Sequence, residues 1–313
     1  RKGKVNCLAD ECVCVEEIRQ AFLDENPAAM TINVNSNSDT VGNSDIYNRF
    51  YPGIQRVNAQ LTDADIEIKK SSTNDVELSV TGGLADDMEA LKETLRVSAS
   101  VGTLSIQQEK KAGISVSYAA SRLFGLKVGK YSARIVIHIA VPEQFEKIEV
   151  KSISGDIKAN NSNAKTLLIH TGSGDVGVED CQADELFASS ISGDVNVIAC
   201  KADKMDIVSV SGDIKVEFDK SAQCRAKSTS GDCKVTIGNQ VDAVVSSTSG
   251  DVSVRYIGEI GLEMALSSTS GDVSAVCGEI NSKGKKKVQE RFGEPDSKLK
   301  ASTISGDIKV RDC

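Results

Sequence analysis

The segment ASSISGDVNV (residues 188–197) contains the tripeptide that decides the fold. Ser-Gly-Asp occurs eight times, and its first six glycines are spaced by 19 residues without exception, followed by steps of 21 and 35. The glycines are Gly155, Gly174, Gly193, Gly212, Gly231, Gly250, Gly271 and Gly306. The aspartates that follow them are Asp156, Asp175, Asp194, Asp213, Asp232, Asp251, Asp272 and Asp307. A tripeptide at a constant period is the signature of a repeat architecture, in which each copy is one structural unit.

Apolar and polar residues alternate on both sides of each tripeptide. In the fourth repeat, Met205 and Ile207 precede the corner at Gly212, and Ile214 and Val216 follow it. Alternation at period two, with β-branched side chains in the apolar columns, predicts a strand on each side. One repeat is therefore predicted to be a strand, a sharp corner, a second strand and a short return. We expect Ile214 and Val216 to lie in the core.

The predicted fold is all-β, a single-stranded right-handed parallel β-solenoid with about 19 residues per rung. The right hand is expected because parallel crossover connections have this hand almost without exception. The alternative is an antiparallel sandwich with a hairpin at each Ser-Gly-Asp. We favour the solenoid because a constant register is needed for stacking and has no purpose in a series of hairpins.

The residues of the corner suggest how it is held. We expect glycine there because the chain must turn with a φ that few other residues tolerate. A Ser or Thr stands three residues before each glycine, and it is expected to face inward and to bond the next rung. The eight aspartates form a ladder of like charges, which is destabilising unless it is neutralised. Either each carboxylate accepts hydrogen bonds from its own corner, as in an Asx-turn, or cations lie between the rungs; we favour the structural interpretation.

The chain divides into three parts by composition and pattern. Residues 1–30 are predicted to be an N-terminal segment, either helical or a cap. Residues 31–142 form an irregular β-rich lead, and residues 143–313 form the regular Ser-Gly-Asp solenoid. A basic loop insertion at 282–297 carries four lysines and is interpreted as a solvated hairpin.

Two segments of the irregular lead resemble degenerate corners. They are residues 62–66, TDADI, and residues 100–104, SVGTL. We therefore expect this part of the chain to form irregular early rungs or a sheet that closes one end.

Composition narrows the classes of function. With 37 Lys and Arg against 45 Asp and Glu, the net charge of −8 predicts repulsion from nucleic acids and anionic membrane surfaces. Aromatic residues are 4% with no Trp, which counts against a carbohydrate-processing cleft. No run of 18 apolar residues exists, so no transmembrane segment is predicted in this chain. Because the chain begins at Arg1 rather than Met, we expect a fragment or processed form in which a removed signal or anchor would be invisible.

The cysteines and histidines give no catalytic or metal-binding pattern. Nine cysteines cannot all pair, and their spacing matches no zinc site, so we interpret them as buried or free thiols. Cys181 and Cys200 each lie seven residues after a corner glycine and should stack as free neighbours, with a disulfide as the alternative. His138 and His170 have no Ser-His-Asp or Cys-His neighbourhood in the sequence, and His170 is expected to point outward. No catalytic residue, metal ligand or cofactor is predicted.

The repeat carries a family resemblance. Ser-Gly-Asp-(Ile/Val)-x-Val at this period, after a β-rich lead that ends in IAVPEQFEKIEV (residues 139–150), resembles the bacterial "putative adhesin" family of β-solenoid domains, whose function is unassigned. The resemblance covers roughly residues 31–313. It implies a right-handed solenoid at or near the cell envelope, anchored by a segment upstream of Arg1, and it brings no catalytic residues.

Three functions remain open from the sequence. We favour a non-enzymatic, cell-envelope or surface-associated solenoid, an adhesin-like or scaffold module whose partner is a protein or surface ligand and not a nucleic acid. The first alternative is a solenoid that binds calcium through the Asp ladder. The second is a glycan-active β-helix enzyme. A cytoplasmic location is the alternative to the envelope, and the oligomeric state is left open.

Overall fold

The computed structural model describes residues 47–82, 94–108, 135–218 and 223–312, in which all 25 elements are β-strands. In chain order they are β1 (Tyr47–Tyr51), β2 (Arg56–Leu61), β3 (Asp65–Lys70), β4 (Val76–Gly82), β5 (Leu95–Ser100), β6 (Thr103–Gln108), β7 (Ile135–Val141), β8 (Phe145–Ser152), β9 (Ile157–Asn160), β10 (Asn163–Thr171), β11 (Val176–Glu179), β12 (Gln182–Ser190), β13 (Val195–Ile198), β14 (Lys201–Ser209), β15 (Ile214–Phe218), β16 (Gln223–Ser228), β17 (Cys233–Ile237), β18 (Asp242–Ser247), β19 (Val252–Tyr256), β20 (Gly261–Ser268), β21 (Val273–Cys277), β22 (Ile280–Lys285), β23 (Lys287–Gly293), β24 (Ser297–Thr303) and β25 (Ile308–Asp312). The segment predicted at residues 1–30 lies outside the described residues.

The strands form two mixed sheets that are mostly parallel. Sheet 1 contains the strands that follow a corner, in the order β1-β4-β7-β3-β9-β11-β13-β15-β17-β19-β25-β21-β22. Sheet 2 contains the strands that precede a corner, in the order β23-β20-β24-β18-β16-β14-β12-β10-β8-β2-β6-β5. This all-β arrangement is consistent with the predicted β-solenoid.

Neighbouring repeats pair in parallel and in register. In sheet 1, Val195 pairs with Ile214, and in sheet 2, Leu186 pairs with Met205, so that paired residues are 19 positions apart. Because the register is constant, each column of the sequence repeat becomes a column in the stack. We call one sheet-2 strand, its corner and the following sheet-1 strand a rung.

The core lies between the two sheets and consists of the inward-facing columns. The alternation of buried and exposed residues along β15 is that of a strand with one buried face. Ile214 is 1% exposed and Val216 is 0% exposed, so the predicted core positions are confirmed. Branched aliphatic side chains fill most of this core, as the scarcity of aromatic residues requires.

The order of the rungs in the stack differs from their order in the chain at both ends. The last rung in the sequence, β24 and β25, lies between the rung of β18 and β19 and the rung of β20 and β21. The first, β2 and β3, likewise lies between β6 and β7 on one side and β8 and β9 on the other. At each end of the stack, therefore, one rung is inserted between the outermost rung and the rest of the stack.

Antiparallel strands close both ends. β4 and β1 extend sheet 1 at the N-terminal end, and β22 and β23 cover sheets 1 and 2 at the other end. The basic insertion thus supplies two edge strands, and its exposed lysines suit an edge that must not pair with other chains.

Of the two degenerate corners, only one is a corner. Residues 62–66 connect β2 to β3 and stack beneath the corner of Gly155. The interpretation of residues 100–104 is wrong, because they form a tight antiparallel hairpin between β5 and β6 within sheet 2. Val101 and Gly102 have φ of 46° and 72°, the left-handed conformation that such a hairpin turn uses.

Candidate functional site

The hydroxyl column of the corner is buried, and six of its eight members make two hydrogen bonds each. The column consists of Ser152, Thr171, Ser190, Ser209, Ser228, Ser247, Ser268 and Thr303. Ser209 Oγ accepts a bond from Gly212 N at 2.9 Å and donates one to Gly193 O at 3.1 Å in the preceding rung. The expectation that this column faces inward and bonds a neighbouring rung is confirmed. These hydroxyls are therefore used in hydrogen bonds that hold the corners and rungs together.

The corner glycines are required by close packing rather than by φ. None of the eight, all of which lie in the described ranges, has a positive φ, so the conformational reason given from the sequence is wrong. A Cβ on Gly212 would overlap the carbonyl oxygen of Gly193 in the rung below. The rungs approach so closely here that only a residue without a side chain fits.

The aspartate ladder is held by backbone hydrogen bonds between rungs. Asp213 N donates to Asp194 Oδ1 at 2.8 Å, and Asp232 N donates to Asp213 Oδ1 at 2.8 Å. The same bond runs through the whole stack, from Asp65 to Asp272. Every carboxylate of the ladder except that of Asp272 at its end therefore accepts a bond from the next corner rather than from its own, a charge-assisted contact that offsets the like-charge repulsion.

The two ends of the corner ladder are capped by single side chains. At the N-terminal end, Gln108 Oε1 accepts bonds from the backbone N–H groups of Thr62, Asp63 and Ala64 at 3.0, 3.1 and 3.2 Å. At the other end, Lys286 Nζ donates to Ser270 O at 2.9 Å, Gly271 O at 2.6 Å and Asp272 Oδ1 at 3.2 Å. The predicted solvated hairpin thus includes one lysine with a structural role. Neither cap could be predicted from the sequence, because each occurs only once and forms no repeated column.

The corner carboxylates do not gather into a recognisable cation site. Within the ranges that the structure describes, no three or more His, Cys, Asp or Glu side chains come together as a metal site would require. One oxygen of each carboxylate from Asp156 to Asp251 is already bonded to a backbone N–H.

Cys181 and Cys200 stack in consecutive rungs, as predicted, and are free thiols in the structure. Both are buried, and Ser162 Oγ lies 3.3 Å from Cys181 Sγ. The hydrogen bond from Cys200 lowers the pKa of Cys181, and the same shared proton raises the pKa of Cys200. Burial raises the pKa of Cys224, Cys233 and Cys277 to about 12, so these three are unreactive packing residues.

His138 has hydrogen-bond partners on both ring nitrogens. Its Nε2 lies 2.9 Å from Thr81 Oγ1 and its Nδ1 lies 3.0 Å from Glu67 Oε2. This group could not be predicted from the sequence because its members come from β4, β7 and β3, far apart in the chain. A hydroxyl, an imidazole and a carboxylate in this order also occur in hydrolase triads. Here they are cross-strand neighbours on the outer face of a sheet, with Glu67 half exposed to water.

His170 lies on the other sheet, where it points outward between the buried Ile169 and Thr171, as predicted, and is half-buried by its neighbours. Its Nδ1 is 2.7 Å from Ser189 Oγ in the next rung. Burial, with a smaller contribution from Lys151, lowers the pKa of His170, so it is neutral near pH 7. This histidine is therefore part of the packing between rungs.

An open groove of about 1080 Å³ runs along the return edge, where the chain enters sheet 2. Its walls and floor come from residues 143–146, 163–165, 182–184 and 201–203, which lie side by side in successive rungs, with Gln55 near one end and Gln240 near the other. The groove could not be predicted from the sequence, because most of its positions share a place in the rung and not a residue type.

Three of the four segments that line the groove repeat one pattern, in which a less exposed alanine on the floor lies between two polar residues. In the rung of β12, Ala183 lies between the exposed side chains of Gln182 and Asp184. At the N-terminal end, Arg56 Nε donates to Glu146 Oε2 at 2.8 Å, and this bond lowers the pKa of Glu146. The arrangement offers a linear series of hydrogen-bonding groups above a smooth floor.

Comparison with known proteins identifies relatives of the whole β-rich part. A family model described as Toastrack DUF4097 matches residues 54–311. A solved "putative adhesin" from Bacteroides fragilis is 18% identical, covering 84% of this chain and 96% of that chain with a TM-score of 0.48. A "putative lipid binding protein" from Parabacteroides distasonis is 17% identical, covering 84% and 96% with a TM-score of 0.43. No curated protein matches the chain significantly.

Proposed function

We propose that this chain, which belongs to the Toastrack DUF4097 family, is a non-enzymatic interaction module at the surface of the cell envelope. The observation that supports this most is that the polar side chains of the corners and those of the groove have different roles. Corner hydroxyls and carboxylates are used in hydrogen bonds within the stack. The groove, in contrast, presents polar side chains to solvent in a repeating row. Such a scaffold is suited to holding a partner.

A non-enzymatic role is favoured by where the reactive groups lie. Cys181 and Cys200 are enclosed beneath the return edge, and His170 is bonded to the neighbouring rung. The group around His138 stands on an open sheet face, where water can reach Glu67. Catalysis by a polar relay depends on a preorganised site from which water is excluded.

The surface location and the hand of the coil belong to the same proposal. The resemblance of the repeat to envelope proteins supports an extracytoplasmic location, and the near-universal hand of parallel crossovers supports a right-handed coil. Within the described residues, no helix has the length and apolar character that crossing a bilayer requires. The partner is a protein or a surface ligand rather than a nucleic acid, since the chain has a net charge of −8.

Two linked measurements test the proposal. Antibodies against the chain should label intact source cells, and beads coated with the chain should be retained by a surface of such cells more than beads coated with albumin. Labelling only after permeabilisation would contradict the location, and equal retention of the two kinds of bead would contradict the interaction. Turnover of chromogenic esters or glycosides that is lost in Thr81→Ala would contradict the non-enzymatic role.

A further inference from the structure

The groove on the return edge has walls that are not used by the fold. In the part of the chain that the structure describes, the side-chain amides of Asn163 and Gln182 have no hydrogen-bond partner within the protein. They lie in neighbouring rungs, since Asn163 pairs with Gln182 and Gln182 pairs with Lys201. Two neighbouring free amides in a groove are unlike the corner, where every hydroxyl has a partner. These groups are available to a ligand.

The charge of the groove limits what the ligand can be. Its described lining contains four carboxylates, from Glu143, Glu146, Asp184 and Asp203, and two ammonium groups, from Lys165 and Lys201, so its charge is 2 − 4 = −2. Polyanions are therefore repelled. Amide, carboxylate and ammonium groups together can both donate to and accept from hydroxyl groups.

The shape of the groove points to a linear polymer with a repeat close to one rung. Neighbouring rungs are about 4.8 Å apart, so the four segments span about 14 Å. Same-facing side chains of an extended peptide recur about every 6.7 Å and would fall out of step with the rungs. One ring of an extended glycan advances by about one rung. The floor is a narrow apolar column, Phe145, Ala164, Ala183 and Ala202, whose members pair in successive rungs.

We propose that this groove binds a neutral, hydroxyl-rich linear glycan that lies along the stack, with its hydroxyl groups bonded to Asn163 and Gln182. This inference rests on the proposed function, because it names the class of surface ligand. The sequence argument against carbohydrate concerned aromatic stacking. Here the floor is mostly alanine with little exposed surface, so binding depends on hydrogen bonds and on several rungs acting together.

The test uses the full chain labelled with ¹⁵N and three neutral probes, cellohexaose, xylohexaose and mannohexaose. We expect at least one hexasaccharide to shift the side-chain amide resonances of Asn163 and Gln182, and its trisaccharide to bind more weakly. The double variant Asn163→Ala/Gln182→Ala should bind about tenfold more weakly, since two hydrogen-bonding groups are lost. Ala183→Arg should abolish binding by filling the floor. Asn196→Ala, on the outer face of sheet 1, should bind as the wild type does.

Three outcomes would overturn the proposal. They are no shift with any neutral hexasaccharide at millimolar concentration, binding that survives both the double variant and Ala183→Arg, and tighter binding of hexagalacturonic acid or of a Ser-Thr heptapeptide. If Ala183→Arg fails to fold, the double variant decides alone, because both its positions are polar and line the groove. Retention of coated beads on cells together with a negative glycan result would leave the interaction module standing and remove only this ligand.

Discussion

Removal of one corner hydroxyl tests the central claim about what holds the stack together. Ser209 is 1% exposed, and its Oγ bonds Gly212 N at 2.9 Å and Gly193 O at 3.1 Å. In Ser209→Ala, one donor and one acceptor are left unsatisfied in a buried corner. Each costs about 1–3 kcal/mol, so we expect the free energy of unfolding to fall by about 3 kcal/mol.

The chain offers matched controls for this change. Ser209→Thr should cost less than about 1 kcal/mol, because Thr171 occupies the same column and makes the same two bonds, at 3.2 and 2.9 Å. Ser211→Ala changes an exposed serine of the same corner and should have almost no effect. Ser152 makes only the bond from Gly155 N within the described residues, so Ser152→Ala should cost about half as much as Ser209→Ala.

The assay is urea unfolding followed by far-ultraviolet circular dichroism, with the slope m compared among variants. Because repeat stacks can unfold in parts, hydrogen exchange of a peptide spanning residues 205–216 provides a local measurement. If Ser209→Ala shifts the midpoint no more than Ser211→Ala does, the hydroxyl ladder does not stabilise the stack. The argument from buried, unsatisfied groups would then be refuted.

Three further changes test other parts of the same account. Gly212→Ala should destabilise by about 3 kcal/mol because its Cβ would overlap the Gly193 carbonyl, whereas Gly177→Ala, with only Lys158 Cγ at 3.8 Å, should be neutral or slightly stabilising; equal midpoints would show that close packing is not the reason for glycine. Lys286→Met should cost about 1 kcal/mol and speed hydrogen exchange at residues 268–274, while Lys283→Met should do neither; unchanged exchange would contradict the cap. Ala199→Gly should stabilise by about 1 kcal/mol, because Ala199 has a φ of 53°, and a lower melting temperature would contradict this.

The regular part of the fold could be predicted because its information is periodic. Ile214 and Val216 were assigned to the core from columns alone, and Ser209 was placed facing inward by the same alternation. The reason for Gly212 could not be obtained this way. A sequence shows that glycine recurs, but a positive φ and a close approach of two backbones select it equally. Only the distance between rungs distinguishes the two causes.

The groove and the His138 group could not be predicted for a different reason. Asn163, Gln182 and Lys201 share a position in the rung but not a chemical type, so no column stands out. His138, Thr81 and Glu67 meet only because β7 lies between β4 and β3. That order depends on the insertion of a rung beneath the outermost one, which local patterning does not encode.

The unlike caps of the stack follow from the polarity of its corners. Within each Ser-Gly-Asp, the N–H groups of the serine and the aspartate point toward the preceding rung, while the glycine carbonyl and the aspartate carboxylate point toward the next one. The first corner in the stack is therefore left with unpaired donors and the last with unpaired acceptors. Gln108 supplies an acceptor at the donor end, and Lys286 supplies a cationic donor at the acceptor end. Exchanging the two chemistries would leave both ends unsatisfied, so the termini of this repeat are specified by single residues while its interior is specified by columns.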